Sequence, residues 1–277
     1  MTESTDEATS LVSVSTPTPL DTMRSNGCKF SYQVPDGWQQ GRGAFGGLVL
    51  AVLTRAMRMC EDDPARSLRS LTAALGGPAL VGPAEIQVEL LRRGNGLSTL
   101  AARLVQDGDV RAHAVGLFAK SRTLDDAQWE PARVPPAPAW ESCDVVDVRP
   151  PLGPVFASHF EFRPTVGIPF SGQASVCEGW VRARSPGLAR DEALLVALAD
   201  VWWPAALVRA SAPRPMATIA FTLQILGDWE GLDPDAPLFH SGQSDIGRDG
   251  YFAETRELRG VDGRLMARNT QTMAIIA

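Results

Sequence analysis

Histidine, lysine and cysteine are all scarce in this 277-residue chain, and each scarcity narrows the available chemistry. The three histidines, His113, His159 and His240, stand far apart, and no Gly-x-Ser-x-Gly sequence occurs, so a Ser-His-Asp triad has no support. Each histidine is expected at the surface or capping a helix. The four cysteines, Cys28, Cys60, Cys143 and Cys177, form no Cys-x-x-Cys pair. Neither a disulfide scaffold nor a zinc site is expected from that spacing. Cationic side chains are mostly arginine, with no dense basic cluster, and the formal net charge is -6. That balance excludes a nucleic-acid footprint and leaves planar contacts suited to carboxylates or phosphates. No apolar stretch is long enough for a membrane span: residues 193–207 come nearest and are too short and interrupted. The acidic, polar N-terminus is not a secretory signal, so a soluble cytoplasmic protein is expected.

What the chain does have is a 44% hydrophobic content and a length sufficient for two domains or one large one. Residues 1–22, rich in Ser and Thr, are expected to form a loose tail. Strand character follows at 28–34, then helical spacing over 44–60, where nearly every position up to Leu53 is apolar or glycine. Segments 84–91, 97–106 and 110–120 read as strands, the last two joined by Asp107-Gly108, a strong hairpin signal. Prolines crowd 123–155, which reads as a linker. Beyond it the order recurs: strands at 159–163 and 174–184, an apolar helix over 190–209, and strands at 217–226, 250–258 and 264–276. Asp262-Gly263 turns the last hairpin as Asp107-Gly108 turns the first. Helix and hairpin recurring at similar offsets predict a structural duplication. The expected fold is α+β, a double hotdog: units 23–122 and 156–277, each a long central helix wrapped by a curved antiparallel sheet.

Within the second helix, Asp200 is the only charged side chain in the run 193–207. A buried, unpartnered carboxylate costs several kcal/mol or takes up a proton, so an acid here either faces solvent from one stripe or has polar partners that make a site. Pro204 removes the hydrogen bond that would reach back to the carbonyl of residue 200, predicting either a kink beside the acid or a helix that ends near Trp203. Gly46 and Gly47 at the start of the first helix offer exposed N-H groups at a positive helix end, or simply close packing on the sheet. The sequence 41–46 also fits Gly-x-Gly-x-x-Gly, but six residues separate it from the preceding strand and hairpins follow it. A dinucleotide fold is therefore not expected.

Several stretches together resemble the acyl-CoA thioesterase II family of double-hotdog hydrolases over roughly residues 30–276. They are Phe45-Gly46-Gly47, His159-Phe160-Glu161-Phe162-Arg163-Pro164, Gly179-Trp180-Val181-Arg182-Ala183, the segment around Asp200, Ala217-Thr218-Ile219, and Thr270-Gln271. By position in those motifs, the resemblance assigns Asp200, Thr218 and Gln271 to holding the hydrolytic water. It implies an acyl-CoA or related acyl thioester as substrate, no cofactor, and a homo-oligomer, with a place in lipid metabolism. Where the family continues after the Thr with Asp-His-Ser, this chain has Ala220-Phe221-Thr222. The residues themselves fit the chemistry: Asp200 as a base for water, Thr218 and Gln271 as neutral positioning groups, and N-H groups near Gly46 and Gly47 as oxyanion donors. Read singly, Thr218 suits a strand anyway and Gln271 suits a solvent face. The competing expectation is a non-catalytic acyl-thioester binding or scaffold protein with a degenerate site.

Overall fold

The computed structural model describes residues 18–122, 129, 132–185, 191–225, 227 and 235–276. Strands β1 (Arg24–Asn26) and β2 (Lys29–Val34) come first, then the two-residue strands β3 (Gln39–Gln40) and β4 (Gly43–Ala44), which lead into helix α1 (Gly46–Cys60). Strands β5 (Arg66–Leu75), β6 (Gly82–Arg93), β7 (Leu97–Gln106) and β8 (Asp109–Lys120) complete the first half. The second half contains β9 (Phe160–Val166), β10 (Val176–Ala183), α2 (Glu192–Asp200), α3 (Ala205–Arg209), β11 (Met216–Ile225), β12 (Leu238–Arg248), β13 (Tyr251–Arg259) and β14 (Leu265–Ile275).

Twelve strands form one sheet in the order β1-β2-β6-β7-β8-β5-β11-β14-β13-β12-β10-β9, with every pairing antiparallel. The order reads as a palindrome about the β5–β11 junction. Outward from it run β8, β7, β6 and β2 on one side, and β14, β13, β12 and β10 on the other. At the junction Thr72 faces Thr222. The duplication expected from the recurring hairpins is visible in this order, and an all-antiparallel sheet removes the dinucleotide-fold alternative.

Alternation explains most of the strands. In β2 the pattern puts Phe30, Tyr32 and Val34 inside and Lys29, Ser31 and Gln33 outside. The β7–β8 turn uses Asp107 and Gly108 with φ of 54° and 84°, the backbone that closes a two-residue hairpin without splaying its strands. Helix α1 is buried from Gly47 through Met57 because it lies on β6, β7 and β8 with one flank and on α2 with the other.

Five expectations are corrected. The second helix is not continuous over 190–209: residue 190 lies outside the described residues, α2 stops at Asp200, and the chain re-enters helix only after Pro204, as α3. Strands β5 and β12 carry weak signals and were not anticipated; a register shift between Leu68 and Ser70 interrupts the alternation of one, and two glycines dilute the other. Cys28 and Cys60 meet as a disulfide, Cα–Cα 5.7 Å, tying the chain entering β2 to the last residue of α1. The tail expected over 1–22 lies outside the described residues for 1–17, whereas Pro19–Asp21 is a 3-10 turn closed by the Asp21 carboxylate, with Leu20 buried. His240 is neither a surface nor a capping residue but fully buried, stacked 5.1 Å from Trp202. His113 is exposed, and His159 stacks on Trp38 at 4.0 Å. Of the proline-rich segment, residues 123–128, 130 and 131 lie outside the described residues. Farther along, Trp140 packs on Trp180 and Phe239 beneath the Arg163 guanidinium.

Candidate active site

The site is assembled from three separate elements of the second half and the first turn of α1. Asp200 is the last residue of α2 and is 8% exposed, which settles its orientation inward. Its carboxylate is met from two strands. Gln271 Nε2 donates to Asp200 Oδ1 at 3.0 Å, and the Thr218 hydroxyl stands 3.4 Å from the same oxygen. Thr218 Oγ1 also donates to Gln271 Oε1 at 2.8 Å, which closes a triangle among the three side chains.

Local backbone geometry makes that triangle. On β14 simple alternation sends Asn269, Gln271 and Met273 inward. On β11 the inward set Phe221, Leu223 and Ile225 would carry Thr218 outward, but the register slips between Thr218 and Ala220. One extra residue at this bulge reverses the facing and brings Thr218 to the acid. Asn269 then fixes the Gln271 amide: its Oδ1 accepts the second Gln271 Nε2 proton at 2.8 Å, while its own amide donates to Thr222 O at 2.9 Å. Both Gln271 N-H groups and its oxygen are engaged, so the amide has one orientation.

The first helix contributes its start. The Gly47 N-H donates to the Asp200 carboxylate, and a β-carbon on Gly46 would fall 2.7 Å from Asp200 Oδ2. Only a glycine lets the acid approach that closely. Gly47 also permits the helices to touch, since its β-carbon would lie 2.8 Å from Ala197 O. The two glycines thus divide the readings offered by the sequence: Gly46 serves the carboxylate, and Gly47 serves both the carboxylate and the packing.

Burial pushes the Asp200 carboxyl above the usual carboxylate range, against the opposing pull of the Arg256 guanidinium and of the Gln271, Thr218 and Gly47 donors. A carboxylate with raised proton affinity is suited to take a proton from water. Thr218 gives its proton towards Gln271, and the Cys177 thiol is buried and pushed up by desolvation, its sulfur 3.6 Å from Trp203 O. Neither is presented as a nucleophile. A single activated water attacking a carbonyl is the chemistry this arrangement supports.

Sequence reasoning missed four polar residues on the same inner face: Glu254, Arg256, Asn269 and His240, all buried. A signal for two of them existed, because Glu254, Arg256 and Leu258 alternate on one face of β13. Opposite charges two residues apart beside a core leucine mark a buried ion pair rather than a solvated edge.

An antiparallel sheet with helices packed on it is the frame of the hotdog-fold thioester hydrolases. The chain belongs to the acyl-CoA thioesterase family: the family's N-terminal domain matches residues 34–119 and its C-terminal domain matches residues 131–275. Among solved structures it is similar to a hot dog fold protein of unknown function from Alicyclobacillus acidocaldarius, at 26% identity and TM-score 0.83, covering 92% of this chain and 96% of that one. It is similar in fold to the acyl-CoA thioesterase II TesB2 of Mycobacterium marinum, at 18% identity and TM-score 0.73, covering 93% and 96%. The tesB protein of Mycobacterium avium subs paratuberculosis gives 17% identity and TM-score 0.75, covering 94% and 97%. No curated protein matches the chain.

Proposed function

We propose that this chain hydrolyses an acyl-CoA, or a related acyl thioester, to the free acid and thiol, using a water activated by Asp200 and oriented by Thr218 and Gln271. The observation that supports it is the closed triangle among those three side chains, drawn from α2, β11 and β14. The water oxygen bonds to the thioester carbonyl carbon as its proton passes to Asp200. The tetrahedral intermediate then breaks its C–S bond, and Asp200 returns the proton to the departing thiolate. The carbonyl oxygen is received at the start of α1 by the Gly46 and Gly47 N-H groups and the positive helix end. As Asp200 becomes protonated it weakens as an acceptor, and the Gly47 N-H passes from the carboxylate to the developing oxyanion. No metal or redox step enters this scheme.

The same reading takes the two halves as tandem hotdog units, each closed on its own helix and joined through 123–155, in a cytoplasmic homo-oligomer. A second reading, a non-catalytic binder of acyl thioesters, is favoured by one observation: Phe221 buries an apolar ring two residues from Ile219, beside the Thr218 bulge. Thiol release from a panel of acyl-CoAs of graded length separates the two. Turnover supports hydrolysis; saturable binding of the same acyl-CoAs without thiol release supports the binder and overturns the proposal.

A further inference from the structure

Helix α2 ends at the acid, and a pair of charges on β13 meets the chain on both sides of that end. Arg256 Nη1 donates to Ala199 O at 3.1 Å, taking a carbonyl left open at the helix C-terminus, and lies 4.0 Å from Asp200 Oδ1. Arg256 Nε is held by Glu254 Oε1 at 2.7 Å. The other Glu254 oxygen accepts the Ala205 N-H at 2.8 Å, the first residue of α3. One strand therefore clamps both sides of the break at 201–204, through two residues on the same face of β13 with Thr255 turned away. Arg256 is 2% exposed and Glu254 is 1% exposed, so neither is a solvated surface charge.

The first half shows that the fold does not need this pair. On the corresponding strands the middle of the inner surface is apolar, with Leu100, Ala102, Leu104, Ala112 and Ala114 buried, and the polar Ser98 and Gln106 stand towards the two ends of β7. A buried ion pair is a costly way to fill space, often no more stabilising than hydrophobic residues of the same volume. The first half has buried charges of its own in Arg55, Glu61 and Arg66, whereas in the second half Glu254 and Arg256 are set beside the acid.

We propose that Arg256, braced by Glu254, is a positioning residue for the hydrolytic reaction: it fixes the end of α2 and keeps Asp200 in its carboxylate form. The inference rests on the role proposed for Asp200 above. An isolated carboxylate at a buried helix C-terminus is disfavoured twice, by desolvation and by the negative end of the helix. Arg256 supplies the compensating charge. The other groups around the acid are silent or neutral. Helix α1 offers only Gly46 and Gly47; β11 and β14 offer Thr218, Gln271 and Asn269; β12 offers His240, which burial and Arg256 hold well below its usual range; β10 offers the buried Cys177 thiol. Glu254 is the one further anion on β13 facing the cluster.

The pH profile of kcat/KM for an acyl-CoA tests the idea through opposite shifts. In R256M the acidic limb moves up by about 1–3 pH units, the range an adjacent cation typically accounts for. On the acidic side of the profile activity falls about tenfold for each unit of that shift, and it recovers towards alkaline pH. In E254Q the neutralised partner leaves the Arg256 charge undiluted, and the limb moves down. R256K, which keeps the charge, stays within a few tenths of a unit and stands in should R256M not fold: with E254Q it must give an unmoved and a lowered limb respectively. Limbs that coincide in R256M, E254Q and wild type, with only melting temperature altered, overturn the proposal. D200N run alongside separates the failures. If D200N keeps full activity, the assignment of Asp200 fails; if D200N is inactive while the limbs coincide, only the role of Arg256 fails.

Discussion

Replacing Gly46 with alanine adds one carbon where the acid touches the first helix, and the structure says which way the molecule must give. The new β-carbon falls 2.7 Å from Asp200 Oδ2 and 2.8 Å from Leu75 Cδ1, whereas ordinary contact begins near 3.4 Å. Leu75 can swing away, because its contacting atom is the end of a side chain. Asp200 cannot do so freely: its other oxygen is tied to Gln271 and Thr218. The difference of 3.4 and 2.7 Å, 0.7 Å, therefore falls on the carboxylate or on the start of α1. Misplacement on this scale costs roughly 10²-fold in rate. Overpacking at this contact costs about 1–3 kcal/mol of stability. G47A is the matched control. Its β-carbon meets Ala197 O, a backbone atom of the partner helix, at 2.8 Å, so the helices themselves must separate. Thiol-release kinetics with melting curves on both variants should show a catalytic lesion in G46A, and in G47A a larger loss of stability beside any catalytic lesion. Wild-type kcat in G46A refutes the reasoning.

Two further outcomes follow from the buried acid and the cysteines. Because the Asp200 carboxyl has a higher proton affinity folded than unfolded, its ionised burial costs stability that appears as pH rises from the unfolded carboxylate range through the folded value. D200N removes that cost, so its melting temperature relative to wild type should climb over that window and then level off; a gap that narrows as pH rises contradicts the sign. Thiol titration of denatured, unreduced protein should count two thiols, Cys143 and Cys177, with Cys28 and Cys60 joined. Four titrating thiols exclude the bond, and breaking it should cost about 3–4 kcal/mol for a loop of 32 residues.

Much of this was legible where the signal was local. Residues 97–106 alternate cleanly, and β7 has those bounds. The apolar run with one acid singled out Asp200, the family resemblance singled out Thr218 and Gln271, and the fold brings the three side chains into one network. The rest depended on partners distant in sequence. Thr218 faces inward only through a bulge that pairing with β14 defines. At the end of α2 Pro204 removes the donor to the Asp200 carbonyl, a local signal, while Arg256 takes the Ala199 carbonyl from across the sheet. Glu254 and Arg256 alternate with Leu258 on one face of β13, a local signal, but what they hold, Ala199 and Ala205, lies about fifty residues away in sequence. Cys28 and Cys60 are separated by 32 residues, and only the return of α1 beside β2 joins them.

The central claim is that Asp200 activates the water, and D200N assayed for thiol release from acyl-CoA tests it most directly. Asparagine keeps the shape and the capacity to accept from Gln271 but removes the base. The account predicts a fall in kcat of about 10²–10⁴-fold, the typical contribution of a general base, with an unchanged circular dichroism spectrum. Wild-type turnover by folded D200N would contradict it.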